Sequence, residues 1–165
     1  MQHQVTAYIG IGSNLGEPTK QIAKAIEALA TAADIDQVTA SSLYRSRPMA
    51  GMAQPDYINA VARITTSLSA EQLLTTCQSI EQQQGRDRSA GHWSARTLDL
   101  DIILYGMQTI QSEHLTIPHY GMNERNFVLL PLAELDPDLL LPDNSSIQDA
   151  LQNVSTEGLE KIEPS

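Results

Sequence analysis

Residues 97–105 read Thr97-Leu98-Asp99-Leu100-Asp101-Ile102-Ile103-Leu104-Tyr105. Apolar side chains recur at every second position, which predicts a β-strand over Thr97–Tyr105. Alternation puts Leu98, Leu100, Ile102 and Leu104 on one face and Asp99 and Asp101 on the other. Working back toward the N-terminus, Ser69 and Gln72 form a capping box ahead of a helix carrying Leu73, Cys77 and Ile80. Before it, Tyr57–Thr65 reads as a strand with Ile58, Ala60, Ala62 and Ile64 on one face and Tyr57, Asn59, Val61 and Arg63 on the other. Pro48, Gly51 and Pro55 make Arg47–Asp56 a loop, and Gln37–Tyr44 reads as one more strand. Ile22, Ile26, Leu29 and Ala33 recur at helical spacing behind Glu17 and Pro18, which suit a helix start. Val5, Ala7, Ile9 and Ile11 alternate with Thr6 and Tyr8 as a first strand, which Gly10, Gly12 and Gly16 are expected to break.

The order is strand, helix, strand, strand, helix, strand. That is the βαββαβ order of a ferredoxin-like α/β sandwich, an α+β fold with C-terminal additions. Helices are expected near Glu124–Leu135 and Ser146–Val154. A length of 165 residues suits one domain, with enough chain to bury a core. Hydrophobic residues at 41% and charged residues at 18% are globular proportions. The net charge of −10 weighs against nucleic acid or an anionic membrane as the main partner. Much of that charge lies from Glu134 onward, opposed there only by Lys161, and reads as a solvated face and tail. The single cysteine, Cys77, excludes an internal disulfide framework and any multi-cysteine metal site. Apolar runs are too short to span a bilayer, and MQHQVTAYIG has no basic-then-apolar signal pattern. A cytoplasmic protein is expected.

The chemistry concentrates around the first-quoted strand. Two carboxylates one pleat apart repel each other and lose solvation on leaving bulk water, and a bound cation resolves both problems. Mg²⁺ is bound in this way, by one or two carboxylates together with substrate phosphates. Taken alone, the pair also fits the polar face of an edge strand. Just before it stand Arg86, Arg88, His92 and Arg96, in a chain with only ten Lys and Arg. Arginine donates paired hydrogen bonds to phosphate and stays charged. These arginines fit Mg²⁺–nucleotide chemistry, with surface ion pairing to the many acids as the plainer alternative. Gly85 and Gly91 leave the basic loop able to close over a substrate. His119 could donate to phosphate or simply hold a turn. Asn59 could read a heterocycle edge, and Trp93 or Phe127 could stack on a planar ring or belong to the core. The stretch Gly10-Ile11-Gly12-Ser13-Asn14-Leu15-Gly16 is one residue too long for a dinucleotide fingerprint and reads as a turn into a helix. No P-loop pattern occurs.

Several separate segments, in order, resemble the 6-hydroxymethyl-7,8-dihydropterin pyrophosphokinase family of folate biosynthesis. They are Tyr8–Leu15, Gln54–Ala60, Ile80-Glu81 through Gly85-Arg86, Arg96–Asp101 and Leu115–Tyr120, within a span from about Ala7 to about Pro142. The resemblance implies a ferredoxin-like fold, one pyrophosphokinase domain over 1–165, and transfer of pyrophosphate from ATP to the pterin hydroxymethyl group with release of AMP. It implies two Mg²⁺ ions on Asp99 and Asp101, with Arg86 and Arg96 contacting the phosphates during transfer. It also implies ATP contacts at Gln78, Glu81, Arg88, Trp93, Ile102, Thr116, His119 and Tyr120. Ser46, Met49, Tyr57, Asn59 and Phe127 would line the pterin pocket, and a monomer is expected. His92 and His114 stand where members can carry Arg, Ser89 where Lys is common, and Ser94 where Gly or Ala is usual. The first three lower the local positive charge.

Two other readings compete. A ferredoxin-like reader of single-stranded RNA needs sheet-face aromatics and a basic groove, against 4% aromatics and a charge of −10 here. An inactive ATP- and Mg²⁺-binding homologue acting as an interaction partner would fit the altered basic loop, but Arg86, Arg96, Asp99 and Asp101 are all retained.

Overall fold

The nine residues Val5–Ser13 form β1, an interior strand of the sheet. The computed structural model describes residues 4–13, 18–46, 57–83, 98–113, 115–117, 126–152 and 159–162. Gly10 and Gly12, expected to break this strand, lie inside it. Their register is continuous with the neighbouring strand at 57–66, from Val5 opposite Thr66 to Ser13 opposite Ile58. Two ladders, one on each side, hold the backbone extended and override the weak strand preference of glycine.

Helix α1 (Pro18–Thr31) follows, with proline at the first helical position, where a missing N–H costs nothing. Ile22, Ala25 and Leu29 are fully buried. Ala33, expected on the same stripe, is exposed, because the helix has ended and Asp34 turns the chain at φ 66 into the next strand. The stretch expected to be one strand over Gln37–Tyr44 is two, β2 (Ile35–Ala40) and β3 (Leu43–Ser46). Both pair with β4 (Tyr57–Thr66). Ser41 causes the break. Its amide donates to the Val61 carbonyl at 2.8 Å, and its hydroxyl accepts the Val61 amide at 2.9 Å. A side chain thus replaces a ladder carbonyl at that point.

Helix α2 (Ala70–Gln83) opens on the expected capping box: the Gln72 amide donates to Ser69 Oγ at 3.1 Å and the Ser69 amide to Gln72 Oε1 at 2.9 Å. Strand β5 (Asp99–Tyr105) is next, then the short pair β6 (Ile110–Gln111) and β7 (Thr116–Ile117). Helices α3 (Asn126–Leu135) and α4 (Ile147–Gln152) lie within the two C-terminal stretches expected to be helical. Strand β8 (Leu159–Ile162) pairs antiparallel with β3. The sheet order is β5-β1-β4-β3-β8, with β2 on β4 beside β3. This is the ferredoxin-like α/β arrangement plus one C-terminal strand.

Two apolar clusters sandwich the sheet. On one face Ala7, Ile9, Ile11, Ile58, Ala60, Ala62, Ile64, Leu100 and Ile102 meet α1 and α2. On the other, Tyr8, Val61, Ile103 and Leu104 meet Val128, Leu129 and Leu132 of α3. Leu104 was expected beside Leu98, Leu100 and Ile102 and is instead on the opposite face. Tyr8 pairs with Leu104 and Ile9 with Ile102, so Ile103 is one extra residue on β5. A single inserted residue reverses the alternation beyond it. Tyr105 accordingly returns to the first cluster. Among the described residues no helix is long and apolar enough to cross a membrane.

Candidate active site

The site is read from strand register. Asp99 lies opposite Gly12 of β1, Gly12 opposite Asn59 of β4, and Asn59 opposite Tyr44 of β3. One pleat along, Asp101 lies opposite Gly10, and Gly10 opposite Val61. Cross-strand partners share a face, so Asp99, Asp101, Asn59 and Tyr44 all belong to the α3 side of the sheet. The bulge at Ile103 falls beyond the acids and leaves their shared direction intact. Asp101 is exposed and Asp99 partly buried. They are separated by about 7 Å of strand rise. Between them and Asn59, β1 contributes only Gly10 and Gly12 to this face, and the Ile103 side chain covers Gly10.

The donor set fits a hard divalent cation whose remaining ligands come from elsewhere. Two carboxylates from one strand supply oxygen and negative charge, and oxygen is what Mg²⁺ prefers. Among the described residues no group of three or more His, Cys, Asp or Glu could hold a metal ion. A cation on the pair would take its remaining ligands from outside those residues, and substrate oxygens and water are donors that suit Mg²⁺.

Beneath this face the other cluster braces β5. Glu81 of α2, only 6% exposed, accepts the Leu100 amide at 2.9 Å. That amide therefore points away from β1, out of the edge of β5 that has no strand partner among the described residues. Residues two apart in a strand share hydrogen-bonding direction, so the Ile102 amide and carbonyl point out of the same edge. The Ile102 side chain packs in the first cluster, and the residue as a whole is buried. Exposed Thr116 sits on β7, which packs beside β5. Gln78 is exposed on α2, one turn before Glu81. Cys77 is fully buried. Burial, with the Glu81 and Asp101 charges, pushes its thiol up to about 12.

Asn59 is buried. Ser46 ends β3 directly opposite Tyr57, the first residue of β4, and Phe127 is the second residue of α3. Met49, Arg86, Arg88, Trp93, Arg96, His119 and Tyr120 lie outside the described residues, as do Ser89, His92, Ser94 and His114.

Two members of the C-terminal acidic run, read from sequence as solvated, hold structure instead. Glu134 of α3 accepts from the Tyr44 hydroxyl at 2.6 Å, the Ser42 amide at 2.7 Å and the Ser42 hydroxyl at 3.0 Å. Lys161 Nζ of β8 lies 3.8 Å from it. Burial raises the Glu134 pKa, but these hydrogen bonds and the lysine outweigh burial and hold it below the usual carboxylate value. Burial and the Glu134 contact push the Tyr44 phenol up. Tyr8, on the same face, donates to Asp136 at 3.1 Å, and burial together with that carboxylate raises its phenol to about 12. Tyr44 and Glu134 carried no motif in the sequence. Gly10 and Gly12 did carry a signal: their two-residue spacing in phase with Tyr8 puts them on one strand face.

Fold and site together define a ferredoxin-like α/β protein that presents a carboxylate pair on one face of its sheet. Residues 8–137 match the family described as 7,8-dihydro-6-hydroxymethylpterin-pyrophosphokinase (HPPK). The chain is similar to the 2-amino-4-hydroxy-6-hydroxymethyldihydropteridine pyrophosphokinase of Haemophilus influenzae, 46% identical over 160 residues, which are 97% of this chain and 99% of that one. It is also similar to the folic acid synthesis protein fol1 of Schizosaccharomyces pombe, 42% identical over 93% of this chain and 21% of the longer relative. In three dimensions it is similar to the Plasmodium falciparum HPPK-DHPS crystal structure with pteroate. The TM-score is 0.73 at 12% identity, over 92% of this chain and 42% of that larger one. The chain belongs to the 7,8-dihydro-6-hydroxymethylpterin-pyrophosphokinase family.

Proposed function

We propose that this chain is an ATP-dependent pyrophosphokinase of folate biosynthesis. It transfers the pyrophosphoryl group of ATP to the hydroxymethyl group of 6-hydroxymethyl-7,8-dihydropterin. The pterin hydroxyl oxygen forms a bond to the β-phosphorus and gives up its proton. The bond from the β-phosphorus to the α,β-bridging oxygen breaks, and AMP leaves with that oxygen. The observation that carries the reading is the Asp99–Asp101 pair across from Gly10 and Gly12, in a chain of this family.

Asp99 and Asp101 are the proposed holders of Mg²⁺, two ions in the full reading. The metal supplies charge neutralisation and orientation of phosphate oxygens. The chain's own part is placement. Phosphoryl transfer asks little covalent chemistry of a protein and much positioning. Arg86 and Arg96 are proposed to meet the charge that develops on the transferred phosphates, with Arg88, Trp93, His119 and Tyr120 completing the nucleotide side. For the adenine, the outward-facing backbone of Ile102 offers one donor and one acceptor, and Thr116 lies alongside. Glu81 then acts by tying β5 to α2, and Gln78 lies on the same helix. Ser46, Met49, Tyr57, Asn59 and Phe127 are proposed for the pterin, where the buried Asn59 amide can pair with a ring edge carrying both donors and acceptors.

In this role residues 1–165 act as one domain, as a monomer in the cytoplasm, where ATP is at hand. The decisive assay mixes the protein with ATP, Mg²⁺ and the hydroxymethyl dihydropterin. AMP should form in step with pterin diphosphate, and only with all three present. ATP turnover that is independent of the pterin would refute the reading.

A further inference from the structure

Strand β3 is short. It is four residues long, with Tyr44, Arg45 and Ser46 paired to β4 on one side and all four residues paired to the equally short β8 on the other. The Ser41–Ser42 break separates it from β2, so it gains no register from the longer strand. Yet Ser46 at its end faces Tyr57, and Tyr44 faces the buried Asn59. Any slip of β3 would displace the backbone on which the proposed pterin side is built. Glu134 grips β3 at Tyr44 and the chain just ahead of it at Ser42. One oxygen takes the Ser42 amide and hydroxyl, and the other takes the Tyr44 hydroxyl. The Glu134 oxygen that takes the Tyr44 hydroxyl also lies 3.8 Å from Lys161 Nζ of β8, the strand on the far side of β3. Glu134 side-chain exposure is 28%, so these contacts compete with limited water.

We infer that Glu134 is a positioning residue for the pterin: by clamping Ser42 and Tyr44 from α3, it fixes the short strand that carries Ser46 opposite Tyr57. It touches no substrate and acts through β3. Among the described residues the proposed nucleotide side lies on β5, β7 and α2, whereas Glu134 contacts Ser42, Tyr44 and Lys161. The inference rests on the pterin reading given above.

Glu134→Ala leaves the Ser42 amide and the Tyr44 hydroxyl without their acceptor. Glu134→Gln restores both contacts in shape, since its oxygen can accept from Ser42 and its amide can donate to the Tyr44 oxygen. The test varies pterin and ATP separately in the AMP-release assay, at a temperature where melting curves show each variant folded. Glu134→Ala should raise the pterin KM about tenfold and leave the ATP KM within about twofold, and Glu134→Gln should recover most of the loss. Tyr44→Phe, which keeps the ring, supplies the answer if the alanine variant does not fold. Its pterin KM should rise about threefold with the ATP KM unchanged. A pterin KM that stays at the wild-type value, or both KM values rising together, overturns the inference while an active wild type upholds the functional reading. A wild type that forms no AMP overturns both.

Discussion

Gly10 gives the sharpest stability prediction. A Cβ built on it would lie 3.1 Å from Ile103 Cδ1 and 3.4 Å from Ile103 Cγ1, closer than the roughly 3.5–4.0 Å of ordinary carbon contact. Ile103 is 2% exposed and belongs to the cluster that includes the fully buried Leu129 and Leu132, so it cannot swing aside freely. Overpacking of this kind costs about 1–3 kcal/mol. Removing a glycine from the unfolded chain returns about 0.4–1 kcal/mol. Gly10→Ala should therefore destabilise by about 1 kcal/mol. Ile103→Val deletes Cδ1, the nearest atom, and should by itself cost about 0.5–1.5 kcal/mol. Combined, the two changes relieve each other, and the double variant should be more stable than the sum of the singles by about 1 kcal/mol. Urea unfolding of all four proteins measures that coupling. Strict additivity would show that the Gly10–Ile103 approach is not what keeps a glycine there, and the bulge would lose its link to the glycine opposite Asp101.

Other expectations follow from single side chains. Because folding raises the Tyr8 phenol from 10.0 to about 12, the unfolded chain loses that proton first. The associated stability is present below pH 10 and drains away as pH rises toward 12. Urea midpoints at pH 9 and 11 should fall less steeply for Tyr8→Phe than for wild type. Ser69→Ala removes half of the α2 capping box and should cost about 1 kcal/mol in urea unfolding, with AMP release per folded molecule unchanged. Cys77, buried and with its thiol pushed up to about 12, should resist iodoacetamide at pH 8 until denaturant is added, as read by mass spectrometry.

The fold is legible wherever burial and period agree. Ile58, Ala60, Ala62 and Ile64 declare a strand face, and Ser69 with Gln72 declares a helix start, because both signals are local. What escapes is set by partners distant in sequence. Gly10 and Gly12 stay in a strand because β4 and β5 hold them on either side. The Ile103 bulge exists only relative to β1, and Leu104 changes face with it. Ser41 splits one apparent strand in two through a bond to Val61, twenty residues away. At the site, Asp99 and Asp101 are legible since strand alternation alone aligns them. Tyr44 and Glu134 meet across 90 residues of chain, and no pattern near either foretells it.

The most direct measurement is AMP formed by Asp101→Asn at saturating ATP, Mg²⁺ and pterin. The exchange removes one charge from the exposed end of the acid pair and keeps its shape. AMP release should drop by about a hundredfold or more while the unfolding midpoint stays near that of wild type. A folded Asp101→Asn protein that makes AMP within a few-fold of wild type would contradict the metal role of the pair.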